Sequence, residues 1–196
     1  MMSSEWPGSG GHVHMSLVDA ADGSSVFHDP DIEHGISERQ RHFVGGQQRF
    51  MPELAALVAP TVNSYRRLVP GFWAPTDATY GIDNRTCALR AIPGGAGSQR
   101  VEYRVAAADG NPYIVLAAAL ASGLWGVENR IEPQDPISGN AYDQQFPREL
   151  QFPGTLWEAA QRLKKSDAAR DWFGDAFVDH FAATREWEER EFRKHI

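Results

Sequence analysis

Residues 99–112 read Gln99-Arg100-Val101-Glu102-Tyr103-Arg104-Val105-Ala106-Ala107-Ala108-Asp109-Gly110-Asn111-Pro112. Charged and apolar residues alternate through the first half. A period of two puts Arg100, Glu102 and Arg104 on one face of a strand and Val101, Tyr103 and Val105 on the other. The first face reads as wet, the second as greasy. Asn111-Pro112 then opens a helix, with asparagine at the cap and proline in the first turn. That helix runs to about Arg130. It is apolar around much of its circumference, which predicts deep packing.

Working back toward the N-terminus, Asn84–Ile92 predicts a second strand. Pro93-Gly94-Gly95-Ala96-Gly97 joins it to the first and permits antiparallel pairing. His12–Val18 predicts a further strand, with a turn over Asp19–Ser25 centred on Asp22-Gly23, and Val26-Phe27 as a short returning partner. Between these strands, Ser37-Glu38 starts a helix with Phe43 and Val44 on its apolar side. Pro52 opens a second helix that ends at Pro60. Thr61–Phe72 is a mixed segment ending at a Pro70-Gly71 turn, and Trp73–Gly81 reads as an aromatic loop.

Working forward, Pro133–Pro153 is a long polar loop or flap. Thr155 and Glu158 form a capping box. Helices follow to the C-terminus, broken near Ser166 and Gly174. The last, from Asp175 to about His195, carries Phe177, Val178, Phe181, Ala182 and Trp187 on one side. Strands and helices come first and a helical tail follows, which argues for an α+β domain with mostly antiparallel strands, packed helices and a helical C-terminal tail.

Composition narrows the function. A formal net charge of −7 over 196 residues argues against a general nucleic-acid binder. Of the 19 basic residues only Lys164, Lys165 and Lys194 are lysines; arginine's planar fork suits phosphates and carboxylates. One cysteine, Cys87, excludes an internal disulfide framework. The opening MMSSEWPGSGG lacks the basic and apolar regions of a secretory signal, and the longest apolar stretch, Tyr113–Val127, falls short of a bilayer span. The expectation is a cytoplasmic protein with no membrane or nucleic-acid partner.

The candidate chemistry lies on the strands. His12 and His14, two apart, share a strand face and can ligate a divalent metal, or supply one ligand and one hydrogen-bond donor. Gly8, Gly10 and Gly11 just before them allow backbone to approach a ligand. Glu102 between Arg100 and Arg104 is either a salt-bridged surface ladder or a site holding a metal and an anion; a carboxylate is the hard ligand that Mg²⁺ or Mn²⁺ takes. Arg85, Arg90 and the Arg66-Arg67 doublet extend the same arginine-rich surface if the strands pair. One glutamate, two histidines and several arginines together suggest a metal-bound polyanion such as ATP. Cys87 reads as a buried structural thiol. No Walker A, GxSxG or dinucleotide fingerprint is present.

Four stretches carry a resemblance: GSGGHVHMSL (Gly8–Leu17), PTVNSYRRLVPG (Pro60–Gly71), DNRTCALR (Asp83–Arg90) and RVEYRVAAADGNPYIVLAAALASGLWGVENRIEP (Arg100–Pro133). In this order they resemble the glutamine synthetase family, with residues 8–133 as the motif-bearing core and 154–196 as its helical tail. The resemblance implies residues 1–196 to be an incomplete catalytic domain of that type. It implies an ATP-dependent ligase that phosphorylates the γ-carboxylate of glutamate and lets an amine displace phosphate. The implied cofactors are ATP and Mg²⁺ or Mn²⁺.

Residue by residue, the resemblance implies that His12 ligates the metal bridging the nucleotide phosphates and Glu102 the metal nearer glutamate. His14 would contact ATP phosphates. Arg67 would hold the substrate glutamate, and Arg104 would serve glutamate or its phosphorylated form. Arg85 would sit at the transferring phosphoryl group, and Arg90 and Arg100 on the nucleotide side. Two departures qualify this. Trp73 stands where ammonia-using members carry a glutamate, and an indole is no general base; the WAP variant resembles the branch acting on polyamines or other amines. Gly97 and Pro7 likewise stand where many members have lysine and asparagine. Second, family members are much longer, and their preceding half supplies further metal-binding carboxylates. The rival expectations are therefore an interaction or complementation module for a separately encoded N-terminal half, a vestigial fragment, or a small His12/His14 metallohydrolase that leaves the arginine motifs unexplained; the expected partners are that N-terminal half or further copies in a homo-oligomer.

Overall fold

The computed structural model describes residues 5–71 and 73–195; Phe72, the end of the mixed segment read from sequence, lies outside them. The chain is α+β. Four short strands, β1 (Val13–Met15), β2 (Tyr80–Ile82), β3 (Leu89–Ile92) and β4 (Arg100–Tyr103), form one sheet in the order β1-β4-β3-β2. β4 pairs antiparallel with both β1 and β3, and β2 pairs parallel with β3. The loop read over Trp73–Gly81 thus ends in a strand. Tyr80-Gly81-Ile82 is too short for its alternation to stand out, and its pairing is fixed by distant residues.

Among the described residues there are seven α-helices: α1 (Glu38–Phe50), α2 (Ala55–Val58), α3 (Val62–Arg67), α4 (Pro112–Glu128), α5 (Leu156–Lys164), α6 (Asp167–Phe173) and α7 (Asp175–Arg193). Their ends follow local chemistry. Ser37 Oγ accepts from Gln40 N at 3.1 Å to start α1, and Asn111 Oδ1 accepts from Tyr113 N to start α4. Thr155 Oγ1 accepts from Glu158 N at 3.1 Å. Glu158 returns its carboxylate to Gly154 N rather than to the cap residue itself. Gly174, at φ 82°, separates α6 from α7, a left-handed conformation natural to glycine. α3 lies inside the mixed segment; Thr61 and Ser64 cap it reciprocally.

The strands are shorter than sequence predicts. Val18 bridges Ser25 and Val26 N donates to Leu17 O, so the returning partner after the Asp19–Ser25 turn is present. Asn84–Thr86 forms a side-chain-bonded turn instead of a strand: Asn84 Oδ1 accepts from both Thr86 N and Thr86 Oγ1. Asparagine favours this local bonding over a ladder.

The core joins the greasy face of β4 to α1, α2 and α5. Val101, Tyr103 and Val105 are fully buried, with Phe43, Leu57, Leu89 and Leu156. α1 crosses α4 at a glycine contact. A Cβ on Gly46 would lie 2.6 Å from Gly126 Cα and overlap Ser122 O, so the backbones meet directly. Phe50, Trp125 and Trp172 pack edge to face beside that crossing.

Two expectations fail on burial. α4 is not deeply packed all round. Val115, Ala118, Ala119, Ser122, Gly123 and Gly126 face α1 and the core, whereas Tyr113 (83% exposed), Leu116, Leu120 and Leu124 face solvent. An apolar helix buries only the faces that have neighbours. In α7, Val178 and Ala182 are buried as read, but Trp187 is exposed.

Candidate functional site

Antiparallel register builds the site. Glu102 lies directly opposite His14 on β1 and opposite Arg90 on β3. Directly paired residues project to the same sheet face, so these three side chains form a row across three strands. His12, Arg100 and Arg104 lie two residues away along their chains and join that face.

At the centre, Glu102 is only 4% exposed. Its Oε1 accepts from Arg104 Nη1 at 2.9 Å and lies 3.0 Å from His12 Nδ1. Its Oε2 accepts from Arg90 Nη1 at 3.0 Å. His14 Nε2 is 3.8 Å from Oε1, and His14 Nδ1 accepts from Arg100 Nε at 3.3 Å. Arg90 also pairs with Asp83 through a short bond. The face read as wet is therefore buried at its centre and open at its edge: Glu102 and Arg104 are buried nearly as fully as the valines opposite, whereas His12 and His14 reach solvent.

Arg67 approaches from α3. It is buried, and its guanidinium donates to the carbonyls of Arg104, Val105 and Ala106 just past β4. The glycine-rich segment folds over it: a Cβ on Gly10 would stand 2.6 Å from Arg67 Nη2 and 3.0 Å from His12 Nε2. Only a residue without a side chain permits that closeness. A cavity of ≈ 400 Å³ lies here between Trp6, Pro7, Asn63, Arg67 and Asp109.

Arg85 is exposed and makes no hydrogen bond to Glu102; its charge reaches Asp83 at the edge of the cluster. Trp73 is also exposed, at 72%, with φ 57°. A left-handed bulky residue is an uncommon, strained arrangement. Cys87 is buried, and that burial pushes its thiol pKa up to about 11, so it is no nucleophile at neutral pH.

Burial, reinforced by Arg104, lowers the pKa of His12 and keeps its imidazole neutral, although Glu102 pulls the other way. For Glu102, burial acts to raise the pKa. The Arg90 hydrogen bond, Arg104 and the two histidines outweigh it, so the carboxylate stays ionised below its ordinary range. Arg67, Arg90, Arg100 and Arg104 around one glutamate and Asp83 leave a net positive centre in a chain of net charge −7. Such a concentration attracts anions.

Among the described residues no three His, Cys, Asp or Glu side chains converge as a full metal cage. His12 and Glu102 together supply a neutral nitrogen and an ionised oxygen. Those suit part of a Mg²⁺ or Mn²⁺ shell, because such ions keep waters and substrate phosphates as their other ligands. Sequence reading missed Asp83 as partner of Arg90. The DNR triplet held the only signal, and pairing needed the turn at Asn84. Among the described residues no helix is long and apolar enough to cross a membrane.

Residues 2–196 match the family described as "Glutamine synthetase, catalytic domain". The chain is 45% identical over 193 residues to a type-1 glutamine synthetase 2 of Dictyostelium discoideum, covering 97% of this chain and 37% of that protein. It is 43% identical over 186 residues to a glutamate–isopropylamine ligase of a Pseudomonas species, covering 95% and 40%. Its fold superposes on a solved structure described as apo GmaS without ligand with a TM-score of 0.83 and 32% identity, over 96% of this chain and 43% of that one. The chain thus spans about two fifths of the length of these relatives.

Proposed function

Because the chain belongs to the glutamine synthetase family, we propose that its arginine-ringed carboxylate is the C-terminal part of an ATP-dependent glutamate–amine ligase site. The observation that carries this is the row His14–Glu102–Arg90 across three strands, centred on the buried Glu102 and extended by His12, Arg100 and Arg104. In this reading the site takes ATP with Mg²⁺ or Mn²⁺, forms γ-glutamyl phosphate, and releases phosphate when an amine attacks. A bound cation would offset phosphate charge during transfer. His12 would hold the cation on the nucleotide side and Glu102 the one nearer glutamate, with waters and substrate oxygens as the remaining ligands. Arg90, Arg100 and His14 face the nucleotide phosphates, Arg67 and Arg104 the glutamate. Arg85, exposed at the rim beside Asp83, serves the transferring phosphoryl group in this reading.

The amine is an organic one in this proposal. Trp73 supplies an exposed aromatic surface, whereas binding ammonium calls for a carboxylate. The similarity to a glutamate–isopropylamine ligase points the same way.

A second reading is favoured by the exposed apolar side of α4: this segment acts by completing a separate N-terminal half, in a hetero- or homo-oligomer. Phosphate release from ATP with Mg²⁺, glutamate and a panel of amines tests both readings. Amine-dependent release by the chain, lost in Glu102→Ala, supports autonomous catalysis. Release only after mixing with the preceding segment of a relative supports complementation. No release in either arm overturns the ligase reading.

A further inference from the structure

α7 grips α3 from one side. The Arg185 guanidinium donates to Pro60 O, just ahead of α3. Val62 N, the first amide of α3, donates to Glu188 Oε1 at 3.1 Å. The Arg66 guanidinium lies over the Phe192 ring, 5.1 Å from its centroid. Arg185, Glu188 and Phe192 are three and four residues apart and so share one face of α7.

Neighbouring glutamates on α7 bond side chains. Glu186 accepts from Gln161 Nε2, and Glu189 and Glu191 pair with Arg193 and Lys194. Glu188 instead takes a backbone amide of another helix. The first amides of a helix lack internal partners, and its dipole favours a carboxylate there. The Glu188 side chain is braced from behind: Oε2 lies 3.3 Å from Arg185 Nη1, and Arg185 is stacked over Phe181 at 5.2 Å.

α3 is only six residues long, and its last residue is Arg67. That guanidinium is buried and donates to the carbonyls of Arg104, Val105 and Ala106. A helix of roughly 1.7 turns has few bonds of its own and depends on what packs against it. It offers little length in which a displacement at Val62 could be absorbed before Arg67.

Resting on the ligase reading for the role of Arg67, we propose that Glu188 is a positioning residue: through the start of α3 it sets where the Arg67 guanidinium stands, and thereby the affinity for glutamate. The test is hydrogen exchange of side-chain N–H groups, followed by NMR on the nitrogen-labelled full chain and its Glu188→Ala, Glu188→Gln and Glu191→Ala variants. In the wild type the buried, bonded Arg67 Nη–H groups exchange slowly. In Glu188→Ala they exchange about tenfold faster or more. The side-chain amide of Gln47, held by Ala119 O between α1 and α4, keeps its wild-type rate. Glu188→Gln retains an oxygen for Val62 N and restores slow exchange at Arg67; Glu191→Ala never loses it. Calorimetric titration of L-glutamate follows the same order, about tenfold weaker in Glu188→Ala and near wild type in the other two.

Unchanged Arg67 exchange in Glu188→Ala overturns the proposal. Equal acceleration at Arg67 and Gln47 also overturns it, because the fold as a whole has then loosened. Glu188→Gln behaving like Glu188→Ala overturns the assignment to the Val62 amide. Faster Arg67 exchange with wild-type glutamate affinity overturns the link to the substrate and leaves the ligase reading standing. A wild type that binds no glutamate overturns that link together with the glutamate-binding part of the ligase reading, while Arg67 exchange still decides whether Glu188 positions the guanidinium.

Discussion

α1 and α4 pack against each other, yet their sequences and their burial are inverted. α1 reads ERQRHFVGGQQRF, a polar sequence, but buries Gln40, His42, Gln47 and Gln48. α4 reads PYIVLAAALASGLWGVE, an apolar sequence, but exposes Tyr113, Leu116, Leu120 and Leu124. Pairing explains the first. Gln47 Nε2 donates to Ala119 O at 3.0 Å, and Gln48 Nε2 to Ala78 O at 2.9 Å. Gln40 lies between Arg100 O and the amide of Gln99. Polar side chains enter a core when most of their hydrogen bonds are met; Gln47 Oε1 is the exception here, buried with no partner among the described residues. Position explains the second, because α4 buries only the side that α1 and the neighbouring core reach. Hydropathy ranks transfer free energies; it does not say which neighbours a segment has.

The strongest way to break this comparison is at the glycine crossing. Gly46→Leu places a side chain where Ser122 O and Gly126 already stand. Forced overpacking there costs about 3 kcal/mol or more, and a circular-dichroism melt should lose most of its cooperative transition. A transition like the wild type's would mean that the two helices are free to part. Next in size, Gln47→Leu removes one of two buried side-chain donors to Ala119 O, which keeps Ser122 Oγ at 3.2 Å. The expected loss is about 1 kcal/mol, read as a lower urea midpoint with an unchanged slope. A midpoint like the wild type's would remove the hydrogen-bond account of α1 burial.

Acid probes the same rule at the site. The pKa values of His12 and Glu102 are held below their ordinary values of 6.5 and 4.5. As pH falls, the unfolded chain takes up each proton before the folded one does. Stability therefore begins to drop below pH 6.5 through His12, and drops further below pH 4.5 as Glu102 titrates toward its lower folded value. Urea midpoints from pH 8 to 4 should show both limbs, and His12→Asn should flatten the upper one. The smallest effect belongs to α4's open side. Leu116→Ser and Leu120→Ser should each change stability by about 0.5 kcal/mol or less; losses of about 2 kcal/mol or more would show that this side is packed.

These tests separate what patterns reveal from what they conceal. The alternation of Arg100, Glu102 and Arg104 and the spacing of His12 and His14 were legible, since a strand's period of two is a local property. The Asn111 cap and the breaks near Ser166 and Gly174 were legible for the same reason. β2 was not, because three residues in parallel pairing carry no period of their own. The placement of the segment over residues 137–141 was not, because it depends on Asn84 and Thr86 more than fifty residues away.

Sequence by itself determined the α+β order of elements, the faces of the strands, and the motifs that identify the family, because each is written in neighbouring residues. Only the tertiary structure decided that Glu102 is buried among His12, Arg90 and Arg104, and that a polar helix lies inside while an apolar one is half outside. Burial and pairing depend on what the rest of the chain brings near. A residue's own chemistry sets the cost of being buried, and its distant neighbours decide whether that cost is met.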